Sequence, residues 1–318
     1  MSDWRPGASL ETLVARARLF EKVRAFFKAR GVLEVDTPIL ASSGVTDPAI
    51  ECIHTEAGDA LQSSPEYFMK RLLAAGSGPI YQIARAFRAE ESGRLHNPEF
   101  LLLEWYRPGF DDCALMDEVE ALVCGFLPGF PARRQSYRTL FETSLGIDPF
   151  AASESDLVTA LQRHLARAGR DADPALFADA DRGLLLDFGY AEAAAAAPGA
   201  VFVHDFPPDQ AALARLRRDD RGVAVAARFE LVVDGVELAN GYHELTDPEE
   251  QRCRFEDDLA VRASRGQRLP AVDTHLLRAL EAGVPDCAGV ALGLDRLLLL
   301  ARGETDLDRM LPFGYLRV

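Results

Sequence analysis

The 318-residue chain has no apolar run of membrane-spanning length, so a transmembrane helix is not expected. Its first residues, Met1-Ser2-Asp3-Trp4-Arg5-Pro6, lack the basic and apolar regions of a secretion signal. Cysteine is sparse and unpatterned: Cys52, Cys113, Cys124, Cys253 and Cys287 are odd in number and form no C-x-x-C pair. That argues against a disulfide framework or a zinc site and for reduced thiols. Gly-x-x-x-x-Gly-Lys, Gly-x-Gly-x-x-Gly and His-Glu-x-x-His are all missing, so P-loop, Rossmann and zinc-protease sites have no support. Positive charge is short too. Lys and Arg total 35 against 50 Asp and Glu, a formal net charge of −15. The basic run Arg215-Leu216-Arg217-Arg218 is followed at once by Asp219-Asp220 and reads as a solvated helix end. This balance counts against extensive contact with a nucleic-acid backbone.

What is present is ample apolar material, 48% of the residues, enough for a core. Leu13, Val14, Ala17, Phe20, Val23, Phe26 and Phe27 have helical spacing, predicting an amphipathic helix over Glu11–Arg30 that stops at Gly31. A short strand is expected from Leu33 to Pro38. Ser64-Pro65-Glu66 predicts a helix start, with serine as cap and proline first. Further helices are expected from Phe110 to Leu127 near a cap at Asp111, after Ser153-x-x-Asp156, and after Asp247-Pro248. Ala193–Ala197 reads as a helix end before Pro198-Gly199, and Val201–Val203 as a buried strand. Ala288–Leu292 reads as a strand feeding the helix that begins after Gly293.

Two strand pairs carry chemistry. Tyr81–Glu91 and Leu103–Tyr106 read as strand, loop, strand, with Arg88 and Glu90 sharing one face and Glu104 and Tyr106 another. Such a charged face is built to hold something polar, because unpaired charge is costly to bury. Arg228–Val233 and Val236–Leu245 are joined by Asp234-Gly235, a hairpin turn. A two-residue turn pairs Val233 with Val236 and Val232 with Glu237, which puts Glu230 and Glu237 on one face. Converging carboxylates suit magnesium. Asn240 and Glu244 are out of phase with Glu237, so a shared pocket requires a bulge, expected at Gly241.

These segments resemble the class II aminoacyl-tRNA synthetases. The Arg88-Ala89-Glu90 strand resembles their motif 2, the first helix and strand their dimer-forming motif 1, and Gly293-Leu294-Asp295-Arg296 their motif 3. Leu103-Glu104-Trp105-Tyr106, Ser64-Pro65-Glu66 with Lys70-Arg71-Leu72, and Glu237-Leu238-Ala239-Asn240-Gly241-Tyr242-His243-Glu244-Leu245 narrow the resemblance to the lysyl branch. It implies an α+β fold, a class II catalytic core with an antiparallel sheet flanked by helices. The expected organisation is one catalytic domain over residues 1–318, with about 128–227 as an elaboration and no anticodon-binding domain.

The resemblance also implies roles. Arg88 and Arg296 would meet the α- and γ-phosphates of ATP and act catalytically. Phe100 would stack on adenine, and Ala89, Glu90, His96, Asn97, Glu237, Leu238 and Gly293 would complete the ATP site. Ser64, Pro65, Glu66, Glu104, Tyr106, Asn240, Glu244 and Ala291 would hold the amino acid. Asn240 would meet its carboxylate, and the acidic groups its ammonium groups. Glu230 and Glu237 are the expected magnesium ligands. Three carboxylates with a phenol suit a diamino ligand, lysine or β-lysine. Within the branch, His96–Phe100, Leu103–Pro108 and Pro285–Arg296 resemble the elongation factor P–(R)-β-lysine ligases, and Ala291, where tRNA-charging enzymes have glycine, fits that choice. Ala89 departs from the asparagine more usual there. The implied activity is ATP-dependent formation of a β-lysyl adenylate and transfer to a lysine of elongation factor P, by a cytoplasmic homodimer without stable tRNA binding. Two alternatives stay open: an enzyme that charges tRNA or activates free lysine, and a non-catalytic paralogue. The second is expected to have lost an arginine or a metal carboxylate, and this chain retains them.

Overall fold

The computed structural model describes residues 4–89, 91–127, 129–170, 177 and 180–318. They fall into two compact units, Met1–Gly129 with His243–Val318, and Phe130–Tyr242.

The first unit opens with α1 (Leu10–Ala29), whose cap is Ser9; its hydroxyl accepts from the Thr12 amide. Thr12, Arg16, Leu19, Val23 and Phe27 form the buried stripe, with helical spacing; of the apolar positions expected to face the core only Val23 and Phe27 are on it, whereas Val14 and Ala17 are exposed. The helix stops where Gly31 takes φ +66°, a left-handed value that glycine adopts without strain. The expected strand after it is only β1 (Leu33–Glu34), followed by the small pair β2 (Leu40–Ala41) and β3 (Ala60–Leu61). Helix α2 (Glu66–Ala74) comes next, then β4 (Ile80–Phe87), β5 (Glu99–Pro108) and α3 (Asp112–Val123), which Asp111 caps.

The chain then builds the second unit: β6 (Arg133–Ser136), α4 (Tyr137–Ser144), α5 (Glu154–Arg167), α6 (Arg182–Ala195), β7 (Ala200–Phe206), β8 (Leu216–Arg218), β9 (Ala224–Val233) and β10 (Val236–His243). It returns to the first with α7 (Pro248–Ser264), α8 (Thr274–Ala282), β11 (Cys287–Gly293) and α9 (Leu294–Arg302). No helix among the described residues is long and apolar enough to cross a membrane.

In the first unit the strand order is β1-β4-β5-β11, with β1 parallel to β4 and the other pairs antiparallel. Phe27 stacks on Tyr81 at 4.3 Å and meets Trp105 edge-on at 5.4 Å. Fully buried side chains of this kind contribute about 1.5–3 kcal/mol each. Trp105 also needs a polar partner, and its Nε1 donates to Glu118 at 3.1 Å.

In the second unit β10-β9-β7-β6 lie in that order, and β8 pairs with β9. Tyr137, Phe141, Leu161, Leu186, Val203 and Phe206 belong to its core. The capping box at Ser153 and Asp156 is present, with both reciprocal hydrogen bonds. Asp234 (φ 47°) and Gly235 (φ 78°) make the two-residue turn, and Val236 pairs with Val233 and Glu237 with Val232, as the sequence predicts. The expected helix end at 215–218 is instead β8. Arg217 reaches Asp205 and Arg218 the Gly222 carbonyl, so the basic run serves a strand and its turn.

Candidate active site

Of the residues expected to hold the amino acid, all but Asn240 lie in the first unit. On β5 Glu104 and Tyr106 share a face, and the Tyr106 hydroxyl donates to Glu104 Oε1 at 2.8 Å. Helix α2 starts one residue later than expected: Pro65 sits at the cap position without a side-chain bond. Ser64 is therefore not the N-cap. Its hydroxyl accepts from the Glu66 amide at 3.0 Å and donates to Glu104 Oε2 at 2.7 Å, so the pocket has claimed it. Glu244 is fully buried, and its amide bonds the Cys287 carbonyl next to β11. Ala291 pairs with Glu104 and Gly289 with Tyr106 on β11.

Two further residues belong to the pocket that sequence reasoning did not single out as site residues. Lys70 is buried and ion-paired to Glu66 at 2.7 Å and Glu244 at 2.6 Å. The i,i+4 spacing of Glu66 and Lys70 was the available signal. Gly289 is the other. A Cβ there would lie 2.2 Å from the Tyr106 ring and 2.5 Å from Glu244 Oε1, so only glycine lets these two approach. No periodicity announces that.

The electrostatics follow from burial. Desolvation, then the charge of Glu66, pushes the Glu104 carboxyl up to about 8, against the pull of Ser64 and Tyr106. Burial, then Glu104, raises the Tyr106 phenol well above its usual value. For Lys70 burial acts downward, but the charges of Glu244 and Glu66 outweigh it and hold the ammonium charged.

The expected phosphate grip also lies in this unit. Strand β4 ends at Phe87, so Arg88 stands just beyond it and the face-sharing argument for Arg88 and Glu90 does not hold as stated. The ladder runs one bond further, from the Arg88 amide to Pro98 O at 3.0 Å. The guanidinium lies 5.2 Å from the centre of the Phe100 ring and pairs with Glu91 at 3.3 Å. Glu90 lies outside the described residues. The Ala89 amide bonds Glu51 O. Arg296, in the first turn of α9, contacts His96 Nε2 through Nη2 at 3.0 Å. A guanidinium only donates, so His96 Nε2 is the acceptor in this contact. Asp295 fixes α9 by accepting from Arg16 at 2.5 Å and from the Leu101 amide at 2.8 Å. Asn97 donates to Glu99 O and accepts from the Tyr315 amide, tying the C-terminal turn to this loop. Gly293 is the N-cap of α9, and a Cβ there would make only ordinary contact with Arg296.

The remaining candidates lie in the second unit. The bulge in β10 falls at Leu238, between Glu237 and Ala239, rather than at Gly241, which pairs regularly with Phe229. The effect is the one the sequence requires. After the bulge Asn240 pairs with Glu230, so Glu230, Glu237 and Asn240 share one face. Glu237 is exposed and Leu238 buried. Glu230 is buried; Oε2 accepts from Tyr190 at 2.7 Å and Oε1 pairs with Arg228. Arg228 also donates to Asn240 Oδ1 at 3.3 Å. Burial raises the Glu230 carboxyl above its ordinary value, with Arg228 opposing and Glu237 adding to the rise.

A family model described as tRNA synthetases class II (D, K and N) matches residues 1–317. That fixes the class: an ATP-using synthetase-type ligase with an α+β catalytic fold. Curated relatives narrow it. The elongation factor P–(R)-β-lysine ligase of Pasteurella multocida is 45% identical over 98% of this chain and 97% of its own length. Proteins of the same name from Vibrio vulnificus and Vibrio cholerae are 47% and 45% identical, covering 99% of this chain and 98% and 99% of theirs. The chain belongs to the elongation factor P–(R)-β-lysine ligase family of class II synthetases.

Proposed function

We propose that this protein activates (R)-β-lysine with ATP and transfers it to a lysine side chain of elongation factor P. The observation that carries the substrate class is the cluster of buried Glu104, Tyr106 and Glu244 with half-buried Glu66. With Lys70 counted, its three carboxylates leave two negative charges, more than a monoamino ligand cancels and as many as a diamino one does.

In the first step a substrate carboxylate oxygen attacks the α-phosphorus and pyrophosphate leaves. Arg88 and Arg296 donate to the phosphate oxygens as charge builds on them. Phe100, beneath the Arg88 guanidinium, offers a flat face to the base. In the second step the acceptor amine attacks the acyl carbon, AMP leaves and the amine loses a proton. Magnesium would neutralise phosphate charge when bound. Glu237, exposed on β10, is the better fitted ligand. Glu230 would first have to give up Arg228 or Tyr190. Asn240 is proposed for the substrate carboxylate, Ala291 and Pro65 for the pocket wall, and Ala89, His96, Asn97, Leu238 and Gly293 for the nucleotide. Both units together are proposed as one catalytic domain, working as a homodimer.

The test is amino-acid-dependent exchange of pyrophosphate into ATP, with L-lysine and β-lysine compared, followed by intact-mass analysis of elongation factor P. A gain of one lysine unit is expected. An unchanged factor alongside charged tRNA would overturn the assignment.

A further inference from the structure

Lys70 has no task in the chemistry above, yet it is among the most deeply buried groups of the pocket. It lies one turn after Glu66 on α2, with its side chain 1% exposed. Its Nζ bridges Glu66 Oε1 and Glu244 Oε2, the two carboxylates farthest apart in sequence. We propose that Lys70 is a positioning residue, a resident counter-ion that fixes Glu66 and Glu244 and sets the pocket's charge to match two ligand ammonium groups. This rests on the diamino-ligand reading of the same site.

The charge count supports it. Glu66, Glu104 and Glu244 carry three negative charges when ionised, and Lys70 returns one. Two remain, and a ligand with two ammonium groups cancels them. A ligand with one leaves a buried carboxylate without a cation, which is strongly unfavourable. The bonds to Glu104 come from the hydroxyls of Ser64 and Tyr106, and a proton retained on Glu104 covers one of the two remaining charges. Geometry points the same way. Lys70 takes Oε2 of Glu244, while Oε1 lies against Gly289, as the Tyr106 ring also does. Without the bridge, Glu66 and Glu244 repel each other. One must take up a proton or turn aside, and either removes an ammonium contact. A purely structural role is better served by apolar side chains of similar volume, which pack a core without the cost of desolvating charge.

The experiment uses the full chain with Lys70→Met and Lys70→Ala in the pyrophosphate exchange assay. Lys70→Met should raise the KM for β-lysine or L-lysine by about tenfold or more, equivalent to about 1.4 kcal/mol, and leave the KM for ATP unchanged. In Lys70→Ala, n-propylammonium should restore part of the lost amino-acid affinity, and n-propanol of the same size should not. Should Lys70→Ala fail to fold alone, its cooperative melt is scored with each additive. Equal rescue by propanol, or equal rises in both KM values, would overturn the proposal. So would an unchanged amino-acid KM in Lys70→Met. A wild-type protein that exchanges with no diamino acid would instead overturn the reading of the site itself.

Discussion

Glu104 shows how a single residue can carry a pH dependence. Its carboxyl, near 4.5 in an exposed setting, is pushed up to about 8 by burial and by Glu66. The folded protein therefore holds this proton more tightly than the unfolded chain. The resulting stability is fully present below the unfolded value and is lost as the pH rises through the folded one. Glu104→Gln keeps a neutral group of the same shape. Its melting temperature, relative to wild type without ligand, should rise between about pH 4.5 and about pH 8 and level off above that. A pH-independent difference would remove the assignment. The arginines act at the same scale but on catalysis. Arg88→Ala and Arg296→Ala should each cost at least about 2.7 kcal/mol of transition-state stabilisation, near the value of a lost oxyanion donor. The melting curve should hardly move, because Arg88 is partly exposed and the Arg296–His96 contact is exposed. Exchange at wild-type rate in either variant would refute the phosphate roles.

At the scale of elements, β11 is the strand whose smallest residue matters most. Gly289→Ala would drive a Cβ into the Tyr106 ring and Glu244. Overpacking of this kind costs about 1–3 kcal/mol. Amino-acid-dependent exchange should fall sharply while ATP binding, followed by calorimetry, persists. Full exchange would mean that Tyr106 can move aside freely. The same strand shows where sequence is silent: Gly289 is required by contacts from β5 and from Glu244, which no local pattern reveals. The β9–β10 hairpin is the opposite case, since Asp234-Gly235 dictates the turn and the turn dictates that Glu237 faces with Glu230. The bulge was legible as a necessity but not as a place. Glycine suggested residue 241, whereas the ladder shifts at Leu238, a buried residue with no special backbone preference. Ser64 departs from its local pattern for a related reason. Its local pattern satisfies a helix cap, but Glu104, forty residues on, competes for the hydroxyl. Lys70 was hidden likewise, because a lysine on an amphipathic helix usually reaches solvent.

At the scale of the whole molecule, charge and exposed apolar surface bear on its partners. A net charge of −15 opposes a phosphate backbone, so tRNA binding should be weak at physiological salt. The apolar surface argues for self-association. In the first unit Leu10, Val14, Leu33, Ile39 and Leu40 are all at least 43% exposed. Single exposed apolar residues are ordinary on a monomer. Five fall within the stretch from α1 to β2, and an apolar patch of that size would mark an interaction site. Val14 and Leu33 lie in the helix and strand that resemble the dimer-forming motif 1. An obligate interface of this kind buries roughly 2,000 Å² or more in total. Light scattering at micromolar concentration should therefore give twice the chain mass. Val14→Asp combined with Leu40→Asp should halve it, because placing carboxylates in such an interface leaves buried charge without a partner. A wild-type protein that runs as a monomer under these conditions would reject the interface, and would leave these five side chains to be explained by some other partner.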